Sequence, residues 1–285
     1  MTAALDIRDL SVAVKATGAP VLRQVSMTVE PGSIHGLVGE SGAGKSTLAK
    51  AILGILPKAL QVTGGAIRVA GHDHRASHVG RSGEIAFIPQ DPLSALNPSR
   101  KIGAQLGDAM DRAGRTPRAD RRQRMIGLLR DVRIHDPERV LDSYPHQLSG
   151  GMRQRVLIAS AFSTEPRLIL ADEPTTALDV TVQKQVLKLI RDMQYRHDAA
   201  IVFVTHDLGV VAQICDTVTV LYAGMVVEQA PAAQVFGEPA HAYTRALMDA
   251  SPRFDRPELG MTPISEATFE QLESEVARFA KEKAS

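Results

Sequence analysis

The rhythm of apolar and polar positions changes along this chain. Leu5 to Val14 is apolar-rich and partly alternating, which predicts a strand. Val21, Gln24, Val25, Met27 and Val29 continue that rhythm up to Pro31-Gly32, a turn signal. Ser33 to Val38 predicts a short buried strand, and Gly64 to Ala70 another. Between them lie a glycine-rich loop and a helical pattern running through Ile52 and Leu56. The first 75 residues are therefore β-rich, with one strand–loop–helix unit inside.

Beyond Ser99 the period becomes helical and stays so to about Pro145. Nine arginines lie between Arg112 and Arg139, against five acids: Asp111, Asp120, Asp131, Asp136 and Glu138. The simpler reading is a solvated helical face; the other is a docking face for an acidic partner. From Val156 strands and helices alternate. Arg167 to Ala171 and Ala200 to Val204 predict buried strands, and Val182 to Met193 an amphipathic helix. Asp216 to Tyr222 and Met225 to Val227 flank Ala223-Gly224, a hairpin signal. This alternation predicts an α/β fold with a mainly parallel, covered sheet. Past Ser251, Pro252, Pro257, Gly260 and Pro263 suggest a linker. Phe269, Leu272, Val276 and Phe279 then fall at helical spacing.

Composition narrows the classes. At 285 residues the chain makes one large domain or two modest ones. Hydrophobic residues at 44% and charged residues at 23% exclude a disordered chain. With 33 basic and 32 acidic residues the net charge is +1, so no strong field argues for nucleic acid. Aromatic content is only 4%, with no Trp, too sparse for a base-stacking nucleic-acid surface. Cys215 is the single cysteine, which excludes an internal disulfide framework. No secretory signal or run of about 18 apolar residues is seen, which points to the cytoplasm.

Gly39-Glu40-Ser41-Gly42-Ala43-Gly44-Lys45-Ser46-Thr47 satisfies the phosphate-loop pattern, with an apolar strand before it and a helix after it. Its glycines let backbone N–H groups close around phosphate oxygens, and the helix N-terminus adds unsatisfied donors. Lys45 suits the β- and γ-phosphates of a nucleoside triphosphate and Ser46 suits Mg²⁺. Leu168 to Ala171 is an apolar strand ending in Asp172-Glu173. Asp172 suits the metal and Glu173 the attacking water. His206 follows another apolar strand and Gln90 a third, so both are candidates for the same crevice. Gln90 is the candidate contact to metal or water. His72, His74 and His78 have no spacing suited to a tight metal site.

Leu148-Ser149-Gly150-Gly151-Met152-Arg153-Gln154-Arg155 resembles the signature of ATP-binding-cassette ATPases. Phosphate loop, Gln90, signature, Asp172-Glu173, Ala177-Leu178-Asp179 and His206 occur in that family's order. The resemblance covers about residues 5–250. It implies a P-loop cassette with a RecA-like core, an antiparallel β subdomain and an α-helical signature subdomain at about 99–160. It also implies that Leu148, Ser149, Gly150, Gly151 and Gln154 face ATP bound to a second ATPase subunit, in a head-to-tail dimer with Asp179 at the interface. Segments Gln90 to Pro98, Tyr144 to Gln147 and His241 to Leu247 resemble importers of oligopeptides, dipeptides and nickel. That group implies two integral-membrane permeases, a different partner ATPase, an extracytoplasmic solute-binding protein, and a peripheral place on the cytoplasmic face of the inner membrane. An alternative within the family is a non-transport ATPase accessory to a phosphonate-degrading complex.

Two departures from the family pattern stand out. Val14 occupies the position where the family places a ring against adenine. The tail, residues 251–285, has no cysteine, so the iron–sulfur cluster of many relatives is not expected.

Overall fold

The computed structural model describes residues 2–74, 83–114, 117, 119–176, 179–250, 272 and 274. It opens with β1 (Leu5–Val14), β2 (Pro20–Val29) and β3 (Ile34–Val38), followed by α1 (Lys45–Ile52). Next come β4 (Leu60–Val69), the two-residue β5 (His72–Asp73), β6 (Ile85–Ile88) and α2 (Pro92–Ala95). The middle holds α3 (Ile102–Ala113), α4 (Arg121–Asp131), α5 (Pro137–Asp142) and α6 (Gly150–Phe162). A 3₁₀ turn, Pro145–Gln147, separates α5 from α6. The remainder is β7 (Leu168–Asp172), α7 (Val180–His197), β8 (Ala200–Val204), α8 (Leu208–Ile214), β9 (Thr217–Tyr222), β10 (Met225–Pro231), α9 (Ala232–Gly237) and α10 (Ala242–Asp249).

Two sheets form. The antiparallel sheet runs β2-β1-β4-β5, and the larger one runs β10-β9-β3-β8-β7-β6. In the larger sheet only β10 is antiparallel to its neighbour. Its central strands are apolar on both faces, as a covered parallel sheet requires. Period two divides them between two cores. Leu168, Leu170, Ala200, Val202 and Val204 face the core shared with β1, β2 and α1. Ile169, Ala171, Ile201 and Phe203 face the core shared with α3, α4, α6 and α7.

Register matters most for the site. Leu37 pairs with Val204, Val204 with Asp172, and Ala171 with Ile88. The C-terminal ends of β3, β6, β7 and β8 therefore form one edge of the sheet, the edge where parallel sheets hold ligands. Gly39, Gln90, Glu173 and His206 each lie one or two residues past that edge.

The arginine-rich region is helical, as expected, and its charges are largely paired. Arg121 meets Asp111, Arg122 meets Asp142, Arg124 meets Glu165, Arg130 meets Glu138 and Arg133 meets Asp192. These side chains are mostly solvent-facing, which supports the solvated reading. Within the tail, the anticipated helix from Phe269 to Phe279 lies outside the described residues except at positions 272 and 274, both helical. Leu272 is helical and buried in the larger core. Of the three histidines, His78 lies outside the described residues. Among those described, no group of three potential metal ligands occurs.

Candidate active site

The phosphate loop takes shape where β3 stops. Gly39 has φ 147°, and a Cβ there would stand 2.2 Å from the Leu221 carbonyl oxygen. Gly44 caps α1 at φ 107°, with Leu22 2.8 Å from where its Cβ would be. Both positions need glycine for conformation and for space. The turn between β9 and β10 braces the loop from below, where Gly224 N–H donates to the Ala43 carbonyl at 2.9 Å. Lys45 is buried, and its Nζ donates to Gly39 O at 2.6 Å and Glu40 O at 2.8 Å. Burial pushes the ammonium's pKa down, while Glu173, Asp172 and Glu40 pull it back up. Ser46 is exposed in the first turn of α1.

Glu173 sits at φ 45°, a left-handed conformation that costs a non-glycine residue about 1–3 kcal/mol and collects at functional sites. Its N–H is held by Val204 O at 2.8 Å. Its carboxylate accepts from three side chains. His206 Nδ1 donates to Oε1 at 2.7 Å. Gln90 Nε2 donates to Oε2 at 3.2 Å and Thr176 Oγ1 at 3.0 Å. All three residues read from sequence as catalytic thus meet at one carboxylate. An ionised carboxylate has about four acceptor sites, so these three donors leave room for a water.

Asp172 lies one residue earlier, half-buried. Burial, then Glu173, push its carboxyl above the usual range; Lys50 and Lys45 pull the other way. Lys45 and Lys50 thus offset part of the negative charge of the two adjacent carboxylates. Asp172 and Ser46 are hard oxygen donors of the kind Mg²⁺ takes.

The signature residues divide into two sets. Ser149 caps α6, its Oγ accepting from Met152 N–H at 3.3 Å. A Cβ added at Gly150 or Gly151 would meet nothing within 4 Å, so packing inside this chain does not explain either glycine. Leu148 and Gln154 form the other set. Both residues are buried within this chain, 4% and 1% exposed. Gln154 Nε2 donates to Pro174 O at 2.7 Å, linking the signature helix to the turn that carries Glu173. Asp179 caps α7 by accepting from Thr181 and Val182 N–H at 3.1 and 3.0 Å. Ala177 and Leu178 lie outside the described residues. Thr176, Lys50 and Tyr243 are participants that sequence reasoning passed over. Thr176 was detectable, three residues past Glu173 in a turn.

Comparison with known proteins agrees with this geometry. Residues 22–176 match the family described as ABC transporter. The chain is 46% identical over 256 residues to a probable peptide ABC transporter ATP-binding protein of Sinorhizobium fredii, covering 87% of this chain and 76% of that one. It is 42% identical over 272 residues to the dipeptide transport ATP-binding protein DppD of Escherichia coli, covering 92% and 83%. Among solved structures, cbiO1 of Clostridium perfringens, part of the ABC transporter complex cbiONQ, superposes with TM-score 0.73 at 28% identity over 84% of this chain and 92% of that one. A dimeric ATP-binding cassette in a post-hydrolysis state, bound to ADP and Pi, gives TM-score 0.66 at 25% identity over 80% and 98%.

The chain belongs to the ABC transporter family, as an ATP-hydrolysing cassette. Residues 227–277 also match the family described as the oligopeptide/dipeptide transporter C-terminal region, which puts it in the peptide group. Among the described residues no helix is long and apolar enough to cross a membrane.

Proposed function

We propose that this chain hydrolyses ATP to energise import of peptides or related small solutes through a membrane permease. One observation carries the reading: Gln90, Thr176 and His206 clasp the Glu173 carboxylate on the same sheet edge as Lys45. The loop N–H groups and Lys45 hold the triphosphate. Glu173 takes the proton of the attacking water, and His206 and Gln90 keep its carboxylate aimed. Ser46, Gln90 and Asp172 would hold Mg²⁺, which would supply positive charge to the phosphates.

Ser149 and the bare Gly150-Gly151 face outward for the nucleotide of a second ATPase subunit, a different chain in this reading. Asp179 lies at that interface. Closure on ATP and opening after hydrolysis then drive two permease subunits, fed by an extracytoplasmic solute-binding protein. The chain sits peripherally on the cytoplasmic face of the inner membrane. Residues 1–250 form the cassette, and 251–285 a linker and helix.

Affinity capture of the full chain from its native membrane, followed by mass spectrometry, tests this. Recovery of two multi-spanning permeases is expected. Recovery of a soluble enzyme complex with no permease would overturn it.

A further inference from the structure

The peptide-group C-terminal region reaches the phosphate loop through one side chain. Tyr243 lies in α10, inside the 227–277 match, and is wholly buried. Its hydroxyl accepts from the Glu40 backbone N–H at 3.2 Å. That N–H shares a peptide plane with the Gly39 carbonyl, which accepts from Lys45 Nζ at 2.6 Å. In a trans peptide the N–H and C=O point in opposite directions. One rigid plane therefore has Tyr243 at one end and Lys45 at the other.

The anchor is itself held. Glu228 accepts from Ala240 N–H at 2.9 Å and His241 N–H at 3.0 Å, which fixes the start of α10 to β10. Tyr243 N–H donates to His241 Nδ1 at 3.1 Å. The Tyr243 ring packs on Tyr222, centroids 4.7 Å apart. Tyr222 leads into the Ala223-Gly224 turn that holds Ala43, so the loop is gripped near both ends. Packing alone would be met by phenylalanine. A buried hydroxyl needs a partner, and this one's partner is the phosphate loop.

We propose that Tyr243 is a positioning residue for nucleotide binding. Its hydroxyl fixes the Gly39–Glu40 peptide, hence Lys45, and gives the C-terminal region control over the loop's affinity for ATP. Tyr243 acts through backbone and touches no substrate. The inference rests on the loop being the ATP site.

The test is Tyr243→Phe in the full chain, with binding of the Mg²⁺ complex of AMP-PNP measured by calorimetry and ATP turnover measured alongside. Loss of one hydrogen bond that orders the loop should raise Kd and KM about 5- to 10-fold. Turnover at saturating ATP should stay within about twofold, since the Glu173 clasp is untouched. A lower melting temperature with an unchanged Kd would mean a purely structural role and would overturn the proposal. Amide exchange at Glu40 in the wild-type protein is a second measurement that needs no variant. Strong protection is expected, and exchange as fast as an open loop amide would overturn the link. A wild type that fails to bind AMP-PNP sinks the reading of the site itself. Equal binding by wild type and Tyr243→Phe sinks only the role of Tyr243.

Discussion

His35 lies on β3, four residues before Gly39, and is wholly buried. Its Nδ1 meets Thr217 Oγ1 and its Nε2 meets Thr219 Oγ1, each at 2.7 Å. A neutral imidazole satisfies both, since one nitrogen donates, the other accepts, and a hydroxyl does either. Burial pushes its pKa from the ordinary 6.5 down to about 4. Between those values the unfolded chain takes up a proton that the folded one refuses. The stability tied to the neutral ring is therefore complete above pH 6.5 and is lost as pH falls toward about 4. At 1.36 kcal/mol per pH unit the full loss is about 3 kcal/mol, of which about 2 has gone by roughly pH 5. His35→Gln offers a donor and an acceptor to the same hydroxyls but does not titrate. Urea unfolding of both proteins near neutrality and near pH 5 measures the effect. Each protein is compared with itself, so the cost of the substitution and the titration of other groups cancel. The wild type should lose about 2 kcal/mol more than His35→Gln. Equal losses would refute the assignment of a neutral, buried His35.

Three further outcomes follow from the site. Glu173→Gln replaces the proton-accepting carboxylate with an amide, so phosphate release should fall about 10²- to 10⁴-fold while ATP binding and ATP-driven dimer closure persist; wild-type turnover would remove Glu173 from its role. Val14, at the end of β1, offers no ring to adenine, so Val14→Tyr should tighten ATP about 5- to 150-fold and raise the ATP/GTP ratio, by analogy with base–aromatic stacking of about 1–3 kcal/mol; calorimetric titration showing both unchanged would contradict this. Gln154→Leu leaves the buried Pro174 carbonyl without its donor and should cost about 1–3 kcal/mol in urea unfolding, with ATP affinity intact; a loss of ATP affinity at unchanged stability would instead place Gln154 at a nucleotide.

Much of the site was legible because its chemistry is written in local backbone. The glycines of the phosphate loop are needed at Gly39 and Gly44 for conformation and for contacts with Leu221 and Leu22, and such needs leave fixed spacings. Likewise, apolar strands ending in Gln90, Glu173 and His206 advertise a shared edge, because parallel register aligns their C-terminal ends. The strand limits were read less well. Gly64 marked the start of a strand that in fact begins at Leu60, since Gly64 and Gly65 sit inside β4 beside the irregular register with β1.

What stayed hidden has a common physical form. Gln154 reaches Pro174 across 20 residues, and Tyr243 reaches Glu40 across 203. In both contacts one partner is a backbone group. Any residue can present the carbonyl that Gln154 holds, and any but proline the N–H that Tyr243 holds. The identity of Glu40 therefore keeps no trace of Tyr243, and no spacing rule joins them. A signature glutamine reads from sequence as a ligand contact, because its motif sits at a helix N-terminus. Only burial reveals that it turns inward to brace the turn behind Glu173. Groups that touch the nucleotide leave a motif, while groups that aim those groups leave one polar atom in an apolar place.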